Sequence, residues 1–332
     1  KNEKELPIKS TVLQADDGLR VGLHNLGATL QSIQVPSSSG PVEVLLHYPS
    51  PEDYVDDPYY LGCTVGRYAG RIDAGRFDLG GQTYQLDRND EEFGHCLHGG
   101  SGGFSRKYWQ VDEDPNSNAV LYGIESPDGD QGFPGRLKVT VRYSLVSSMV
   151  LQIDYFAEAD SDTVVNLTNH AYFNLNGDGS SIENHVVWIN SDLYLPMGPN
   201  MLPTGDIANV AGTVFDFRSK AALAERLATP ARQLELAGGI DHFFLLNKAM
   251  KYPAIAASLA SPKTGIRIKF YSSRPGVQFY TGNSLATPFE PRTGLCLEFQ
   301  NAPNAPNVPG FPSPVQKAGH LWHRQLVMEF ES

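Results

Sequence analysis

A segment rich in hydrogen-bonding side chains runs from Val164 to Leu175. Its alternate residues are polar: Asn166, Thr168, His170, Tyr172 and Asn174. The residues between them are mostly apolar, so a β-strand here carries a polar stripe on one face and a core stripe on the other. A solvated outer face has the same alternation, but such faces more often carry Lys and Glu than Asn, His and Tyr. The pattern therefore favours a strand that lines a cleft.

A carboxylate lies among apolar residues near the other end of the chain. In the run LCLEFQ at 295–300, Glu298 shares a strand face with Cys296 and Gln300. Burial among apolar neighbours raises the pKa of a carboxyl group, which suits a general base. A structural role in a buried hydrogen bond explains the same pattern. The Pro- and Asn-rich stretch 301–314 predicts a long loop that could wall a pocket.

Metal and nucleophile motifs are weaker. In a strand, His95 and His98 face opposite sides, and the other spaced pair is His320 with His323, so neither spacing favours zinc and we predict no metal site. The run GGSGG at 99–103 matches G-x-S-x-G formally, but no helix is predicted after it, which favours a flexible glycine loop beside His98. The sequence has neither a phosphate-binding loop nor a dinucleotide fingerprint, so a nucleotide cofactor is unsupported.

Two charged residues have ordinary explanations when taken alone. Arg71 follows Arg67 by four residues, and the expected place for either is the surface. Asp241 follows Gly238-Gly239-Ile240 and fits a turn. Neither residue indicates a site without further support.

Composition excludes several classes of protein. Across 332 residues, 26 Lys and Arg against 37 Asp and Glu give a net charge of −11, which disfavours nucleic acid and anionic membranes as partners. No apolar run approaches the roughly 18 residues that span a bilayer. Three cysteines, Cys63, Cys96 and Cys296, are too few for a disulfide framework, so we expect a cytoplasmic protein. The chain begins at Lys1, which leaves open a removed leader.

Hydrophobic periodicity of two residues dominates the chain. Apolar residues alternate over 137–145 and again over 149–155, which predicts an antiparallel hairpin with one buried face. The helical signal is confined to one segment, in which Ser219 is a candidate cap and Pro230 a stop. Since no linker, charge block or repeat divides the chain, we predict a single all-β domain, largely antiparallel, over residues 1–332.

An ordered set of motifs resembles the aldose 1-epimerase (galactose mutarotase) family. The motifs are GRYAGRI at 66–72, LHGG at 97–100, NLTNHAYFNL at 166–175, PTG at 203–205, TVFDFR at 213–218, DH at 241–242, PGVQFYTGN at 275–283 and CLEFQ at 296–300. Each piece is weak, but together they cover almost the whole chain in the family's order.

The resemblance implies one large antiparallel β-sandwich that interconverts the α and β anomers of free monosaccharides without metal or cofactor. By the same resemblance, Glu298 is the general base and His170 the general acid. Opening a hemiacetal requires removal of the proton from the C1 hydroxyl and delivery of a proton to the ring oxygen, so we expect the two groups on opposite sides of the sugar. The positions that hold sugar hydroxyls and the ring oxygen correspond to His98, Asp241, Arg71 and Gln278.

The sequence differs from the family pattern at two positions, and two alternative functions are also compatible with it. Gly70 stands where the family usually has Asn, and Asn304 stands where it usually has Asp, so one sugar contact is expected to be missing at Gly70. The same fold also suits a catalytically idle carbohydrate-binding domain. A glycoside hydrolase that uses Glu298 and Asp241 as a carboxylate pair is a third candidate. The sequence does not rank the aldoses or indicate an oligomeric state.

Overall fold

Strands make up nearly all of the regular structure. The structure is a computed structural model that describes residues 7–114, 117–247 and 253–332. In chain order its strands are β1 (Ser10–Gln14), β2 (Arg20–His24), β3 (Thr29–Val35), β4 (Val42–Glu43), β5 (Thr64–Val65), β6 (Arg71–Ile72), β7 (Arg76–Leu79), β8 (Gln82–Gln85), β9 (Cys96–Leu97), β10 (Gln110–Asp114), β11 (Ala119–Ser126), β12 (Leu137–Ser147), β13 (Val150–Ala159), β14 (Thr163–Val164), β15 (Thr168–Asn169), β16 (Tyr172–Phe173), β17 (Val186–Ile189), β18 (Leu193–Leu195), β19 (Ala208–Asn209), β20 (Ala221–Ala222), β21 (Asp241–Leu245), β22 (Ala254–Ala260), β23 (Arg267–Ser272), β24 (Gly276–Tyr280), β25 (Leu295–Gln300), β26 (Val315–Gln316) and β27 (Trp322–Glu331).

Helices are short in the described part of the chain. The α-helices are α1 (Leu223–Ala228) and α2 (Arg232–Ala237). Single 3₁₀ turns occur at Pro51–Tyr54, Asp73–Gly75, Phe104–Arg106, Asp130–Gly132, Ile182–Asn184 and Ala305–Asn307. No helix among the described residues has the length and apolar character to cross a membrane.

The largest sheet has nine strands in the order β10-β11-β12-β13-β27-β23-β22-β17-β20. The predicted hairpin is confirmed: β12 and β13 pair antiparallel, with Val141 opposite Tyr155. Leu137, Val139 and Val141 are buried, as the alternation requires, while Lys138 between the first two is exposed. The period of two therefore directs one face of this sheet toward the core.

A six-stranded sheet, β16-β25-β24-β21-β18-β19, packs against the nine-stranded one. The ring of Phe270 on β23 lies 5.4 Å from that of Phe173 on β16 and 5.5 Å from that of Phe299 on β25. Residues of both sheets, and of the four-stranded sheet β1-β2-β3-β4, belong to one buried cluster. The predicted antiparallel β-sandwich is confirmed, and its layers share a core.

The helix prediction needs two corrections. The predicted cap, Ser219, lies outside the helix, because residues 221–222 form β20 and pair with β17 before α1 begins at Leu223. A second helix, α2, follows Pro230 and ends at Ala237, just before Gly238, which has a φ of 67°. Six residues are too few to show a helical period, so tertiary packing rather than pattern stabilises both helices.

Candidate active site

A pocket of about 390 Å³ opens on the face of the six-stranded sheet that points away from the core. We call it the central pocket. All six predicted site residues line it, namely Arg71, His98, His170, Asp241, Gln278 and Glu298. They come from β6, the turn after β9, the connection between β15 and β16, and strands β21, β24 and β25. Strand pairing thus brings together residues up to 227 positions apart in the sequence.

Alternation along β25 places Glu298 in the pocket. Its neighbours Leu297 and Phe299 belong to the hydrophobic core, while Glu298 points to the opposite side and is only 3% exposed. Oε2 of Glu298 has no hydrogen-bond partner among the described residues. Burial raises the pKa of Glu298 well above its usual value, the charge of Asp241 raises it further, and Arg71 opposes the shift. The predicted desolvated carboxyl group is present.

His170 lies beside this carboxyl group. Its Nε2 is 3.7 Å from Oε1 of Glu298, and the ring is buried. Burial lowers the pKa of His170 to about 4. The prediction that acid and base lie on opposite sides of the sugar is wrong, since 3.7 Å leaves no room for a sugar ring between them. The two groups lie next to each other in the wall of the central pocket.

A backbone contact sets the tautomer of His98. The N–H of Gly70 donates to Nδ1 of His98 at 3.1 Å, so the ring hydrogen of a neutral His98 is on Nε2. Burial lowers the pKa of His98 well below its usual value, and His170 and Arg71 lower it further. The ring lies edge-on to His170 at a centroid distance of 5.2 Å. His98 therefore offers the pocket a hydrogen-bond donor without a charge.

The three remaining predicted residues interact with neighbours that leave some of their polar atoms free. Nε2 of Gln278 donates to Oδ1 of Asp241 at 2.7 Å, and Oε1 of Gln278 has no described partner. Nε of Arg71 donates to Asp90 at 2.7 Å, which fixes the guanidinium at the pocket wall. Burial raises the pKa of Asp241, while Arg71 and Gln278 oppose the shift. The pocket thus combines acceptors, donors and one cation.

Several wall residues were not predicted as site residues. Tyr60, Tyr172 and Tyr280 line the pocket, and the ring of Tyr60 lies 4.7 Å from that of His98. Gln300 is buried at the pocket with both amide atoms unpaired among the described residues. The sequence could have predicted this, because Gln300 shares a strand face with Glu298. Tyr60 had no sequence signal, because its position depends on a turn with φ of 60°.

The polar stripe of 164–175 is only partly a pocket wall. The segment forms three two-residue strands, and all its residues are buried. Asn166 donates to the carbonyl groups of Ala69 and Asn301, and Thr168 donates to that of Phe299. Asn174 likewise bonds backbone carbonyl groups, so only His170 and Tyr172 reach the pocket. The prediction of one continuous cleft strand is wrong.

One cluster has the donor set of a metal site. Ligand atoms of His98, His170 and Glu298 all lie within 4.8 Å of one another. Two imidazoles and a carboxylate suit a divalent transition metal. The histidine spacings weighed in the sequence do not form this cluster, because His95 instead contacts Ala74 and Asn200. Any metal here would occupy the same atoms that can exchange protons.

Solved structures share this fold over the full chain. The galactose 1-epimerase of Lactobacillus acidophilus NCFM superposes with a TM-score of 0.87 and 31% identity, covering 100% of this chain and 96% of that one. The aldose epimerase homologue of C. elegans gives a TM-score of 0.88 at 28% identity, covering 97% and 99%. The fold is therefore that of a galactose mutarotase-like β-sandwich.

Sequence comparison is equally extensive. The profile of the family named Aldose 1-epimerase matches residues 9–329. The aldose 1-epimerase of Escherichia coli K12 is 39% identical over 316 residues, covering 93% of this chain and 90% of its own. The galactose mutarotase of mouse is 39% identical over 324 residues, covering 95% and 92%. The chain belongs to the aldose 1-epimerase family, as its motifs predicted.

Proposed function

We propose that the central pocket interconverts the α and β anomers of free aldoses, with Glu298 as general base and His170 as general acid. The pair itself carries this proposal: a carboxylate oxygen and an imidazole nitrogen, 3.7 Å apart, at the base of one pocket. The membership of the chain in the aldose 1-epimerase family supports the reaction type.

The reaction requires two proton transfers and one bond cleavage. Glu298 removes the proton from the C1 hydroxyl while His170 protonates the ring oxygen, and the bond between C1 and the ring oxygen breaks. The open aldehyde rotates about the C1–C2 bond. When the ring closes again, His170 takes the proton from the hydroxyl group that contains the former ring oxygen. Glu298 donates its proton to the aldehyde oxygen, which becomes the C1 hydroxyl. Each group is expected to contribute about 10²- to 10⁴-fold.

The short distance between the two groups agrees with this chemistry. The C1 hydroxyl oxygen and the ring oxygen are both bonded to C1, so adjacent groups on one side of the sugar can reach both. In the state that reacts, Glu298 and His170 together carry one titratable proton, and that proton is on His170. Burial favours the neutral arrangement in which that proton is on Glu298, because it raises the pKa of Glu298 and lowers the pKa of His170.

The other pocket residues suit a neutral polyol. The Nε2 hydrogen of His98, the amide of Gln278, the carboxylate of Asp241 and the guanidinium of Arg71 offer donors and acceptors to hydroxyl groups. Among the described lining residues, Arg71 is the sole Lys or Arg, and Asp90 already pairs with it. A sugar phosphate would require a stronger cationic site, so we expect poor activity on hexose 6-phosphates.

Three buried, unpaired cysteines, Cys63, Cys96 and Cys296, support our proposal of a cytoplasmic location. The net charge of −11 disfavours nucleic acid as a partner, because the protein repels polyanions.

Polarimetry tests the proposed reaction. We expect the protein to accelerate the change in optical rotation of freshly dissolved α-galactose or α-glucose and to leave a chromogenic β-galactoside intact. Glucose 6-phosphate should be a much poorer substrate than glucose. Sugar binding without acceleration would favour the idle binding domain, and release of the chromophore would favour a glycoside hydrolase. Glu290→Gln, an exposed carboxylate replaced in the same way as Glu298→Gln, is the matched control.

A further inference from the structure

A second cavity, of about 630 Å³, lies apart from the central pocket. Its walls come from the turn between β23 and β24, from residues 312–316 and from the start of β27. It shares no described lining residue with the central pocket. Arg274, Trp322 and Arg324 line it. We call it the arginine cavity.

Both arginines lie against one indole ring. The guanidinium carbon of Arg274 is 4.8 Å from the centroid of the Trp322 ring, and that of Arg324 is 5.1 Å from it. Such contacts hold the two guanidinium planes in fixed positions. Arg274 is only 3% exposed, so its charge is largely removed from water. Two like charges thus lie against one aromatic ring in the wall of one cavity.

Neither guanidinium has a counter-charge in the described part of the chain. Arg274 donates through Nη2 to the amide oxygen of Asn166, and its buried Nε has no partner there. Arg324 donates to the backbone carbonyl of His323. Asp154, the nearby carboxylate, is instead bonded to His323 and Gln325. In a chain with 37 acidic residues against 26 basic ones, a buried arginine without an acidic partner needs explanation.

The surroundings of Arg274 would favour a nearby anion. Burial and, to a smaller extent, the positive charge of Arg324 together lower the pKa of Arg274 to about 9. A bound anion would reverse both effects, because it would replace lost hydration and neutralise the repulsion between the arginines. Guanidinium groups bind carboxylate and phosphate oxygens through paired, charge-assisted hydrogen bonds.

We propose that the arginine cavity binds a small oxyanion, a carboxylate or phosphate group, between Arg274 and Arg324 beside Trp322. The volume of the cavity exceeds what the oxyanion alone requires. Its remaining walls include Val165, Pro275 and Leu321, which suit the less polar part of a small organic molecule. This site does not depend on the proposed function of the central pocket.

Isothermal titration calorimetry on the full chain tests the proposal. Sodium phosphate and sodium acetate are the probes, and sodium chloride keeps the ionic strength equal. We expect saturable binding of at least one oxyanion with one site per chain, and the stronger probe identifies the preferred group. Arg324→Gln should weaken that binding at least about tenfold, because it removes a charge-assisted hydrogen bond. Arg20→Gln, an exposed arginine on β2 replaced in the same way, should bind as the wild type does.

Further measurements distinguish an anion-binding role of the two arginines from a purely structural one. Arg274→Gln should also lose binding, but Arg324 is less buried, so Arg324→Gln is informative even if Arg274→Gln does not fold. Saturating galactose should not displace the oxyanion. The proposal is overturned if neither probe binds saturably, if Arg324→Gln binds as tightly as the wild type, or if galactose displaces the probe.

Discussion

Asp241 on β21 and Glu298 on β25 are separated by strand β24, and Gln278 of that strand donates to Asp241 at 2.7 Å. The carboxylate of Asp241 is thus held by an amide, while Glu298 has an oxygen without a described partner. The charge of Asp241 adds to burial in raising the pKa of Glu298. This arrangement assigns substrate binding to one carboxyl group and proton transfer to the other in the proposed mechanism.

Removal of either member of the proton pair should abolish most turnover. We expect Glu298→Gln and His170→Asn each to lower kcat by at least about 10²-fold with much smaller changes in KM, because each removes one proton transfer. The double variant should lose less than the product of the two effects, since the groups act together. Polarimetric kinetics measures this. His320→Asn, an exposed histidine replaced in the same way, should match wild type.

Near wild-type turnover of Glu298→Gln with normal sugar binding would contradict the assignment of the base. Asp241→Asn would then be the next variant to measure, because Asp241 is the other carboxyl group that lines the central pocket near Glu298.

The pH dependence of kcat/KM should be bell-shaped, with an unusual origin for its limbs. The pKa of His170 is lowered to about 4 and the pKa of Glu298 is raised. The pair therefore carries a single proton over the pH range between these two titrations. Activity should fall at low pH, because protonation of His170 then gives the Glu298–His170 pair a second proton. It should fall at high pH as Glu298 loses the last one.

The single variants distinguish the two limbs. Residual activity of Glu298→Gln requires protonated His170, so it should rise toward acid with a midpoint near pH 4. Residual activity of His170→Asn requires ionised Glu298, so it should rise toward alkaline pH. An acid limb that persists in Glu298→Gln would show that another group accepts the proton.

Gly70 has a measurable consequence for substrate binding. Its φ is 82°, and a Cβ there would lie 3.2 Å from Cβ of Pro303, so a small shift is required. If Gly70→Asn restores a sugar contact made equally in ground and transition states, KM should fall while kcat stays the same. We also expect a stability cost of about 1 kcal/mol from the left-handed backbone.

Gly70→Ala is the matched control for this prediction. It introduces the same Cβ and at least as much backbone strain without an amide, so its KM should not fall. Equal KM values for the Asn and Ala variants would show that the amide makes no contact with the sugar.

Chelation should not affect the reaction, because a carboxylate and an imidazole supply both proton transfers. We expect unchanged polarimetric rates after exhaustive treatment with EDTA. Added Zn²⁺ should instead inhibit, in competition with the sugar, because His98, His170 and Glu298 have the geometry of a metal donor set. Loss of activity with EDTA that zinc restores would contradict this prediction.

Buried histidines should make the fold sensitive to acid. Burial lowers the pKa of His24 to about 4 from 6.5, so the folded state binds fewer protons than the unfolded one. Its contribution is fully present above about pH 6.5 and is lost as the pH falls toward 4, a difference of roughly 3 kcal/mol. His24→Phe, which keeps an aromatic ring against Tyr54, should show a smaller fall in Tm between pH 7 and pH 5. An equal fall in both proteins would contradict this.

Local alternation and ordered motifs sufficed to predict the β-sandwich, the β12–β13 hairpin and a desolvated Glu298. The hairpin and the burial of Glu298 depend on which residues alternate along one strand, and the sequence records that directly. The β-sandwich was implied by the resemblance of the ordered motifs to the aldose 1-epimerase family. The extent of a single domain over residues 1–332 stays a prediction, as do the roles of the site residues.

Tertiary structure alone decided how the candidate site is assembled. His170 and Glu298 are 128 positions apart in the chain, and their 3.7 Å separation depends on strand pairing that no local pattern encodes. The same applies to the tautomer of His98, which a backbone N–H at Gly70 sets, and to Asn166, whose amide bonds the backbone inside the molecule rather than lining the pocket. Long-range packing determines which polar groups find protein partners and which are left for a ligand.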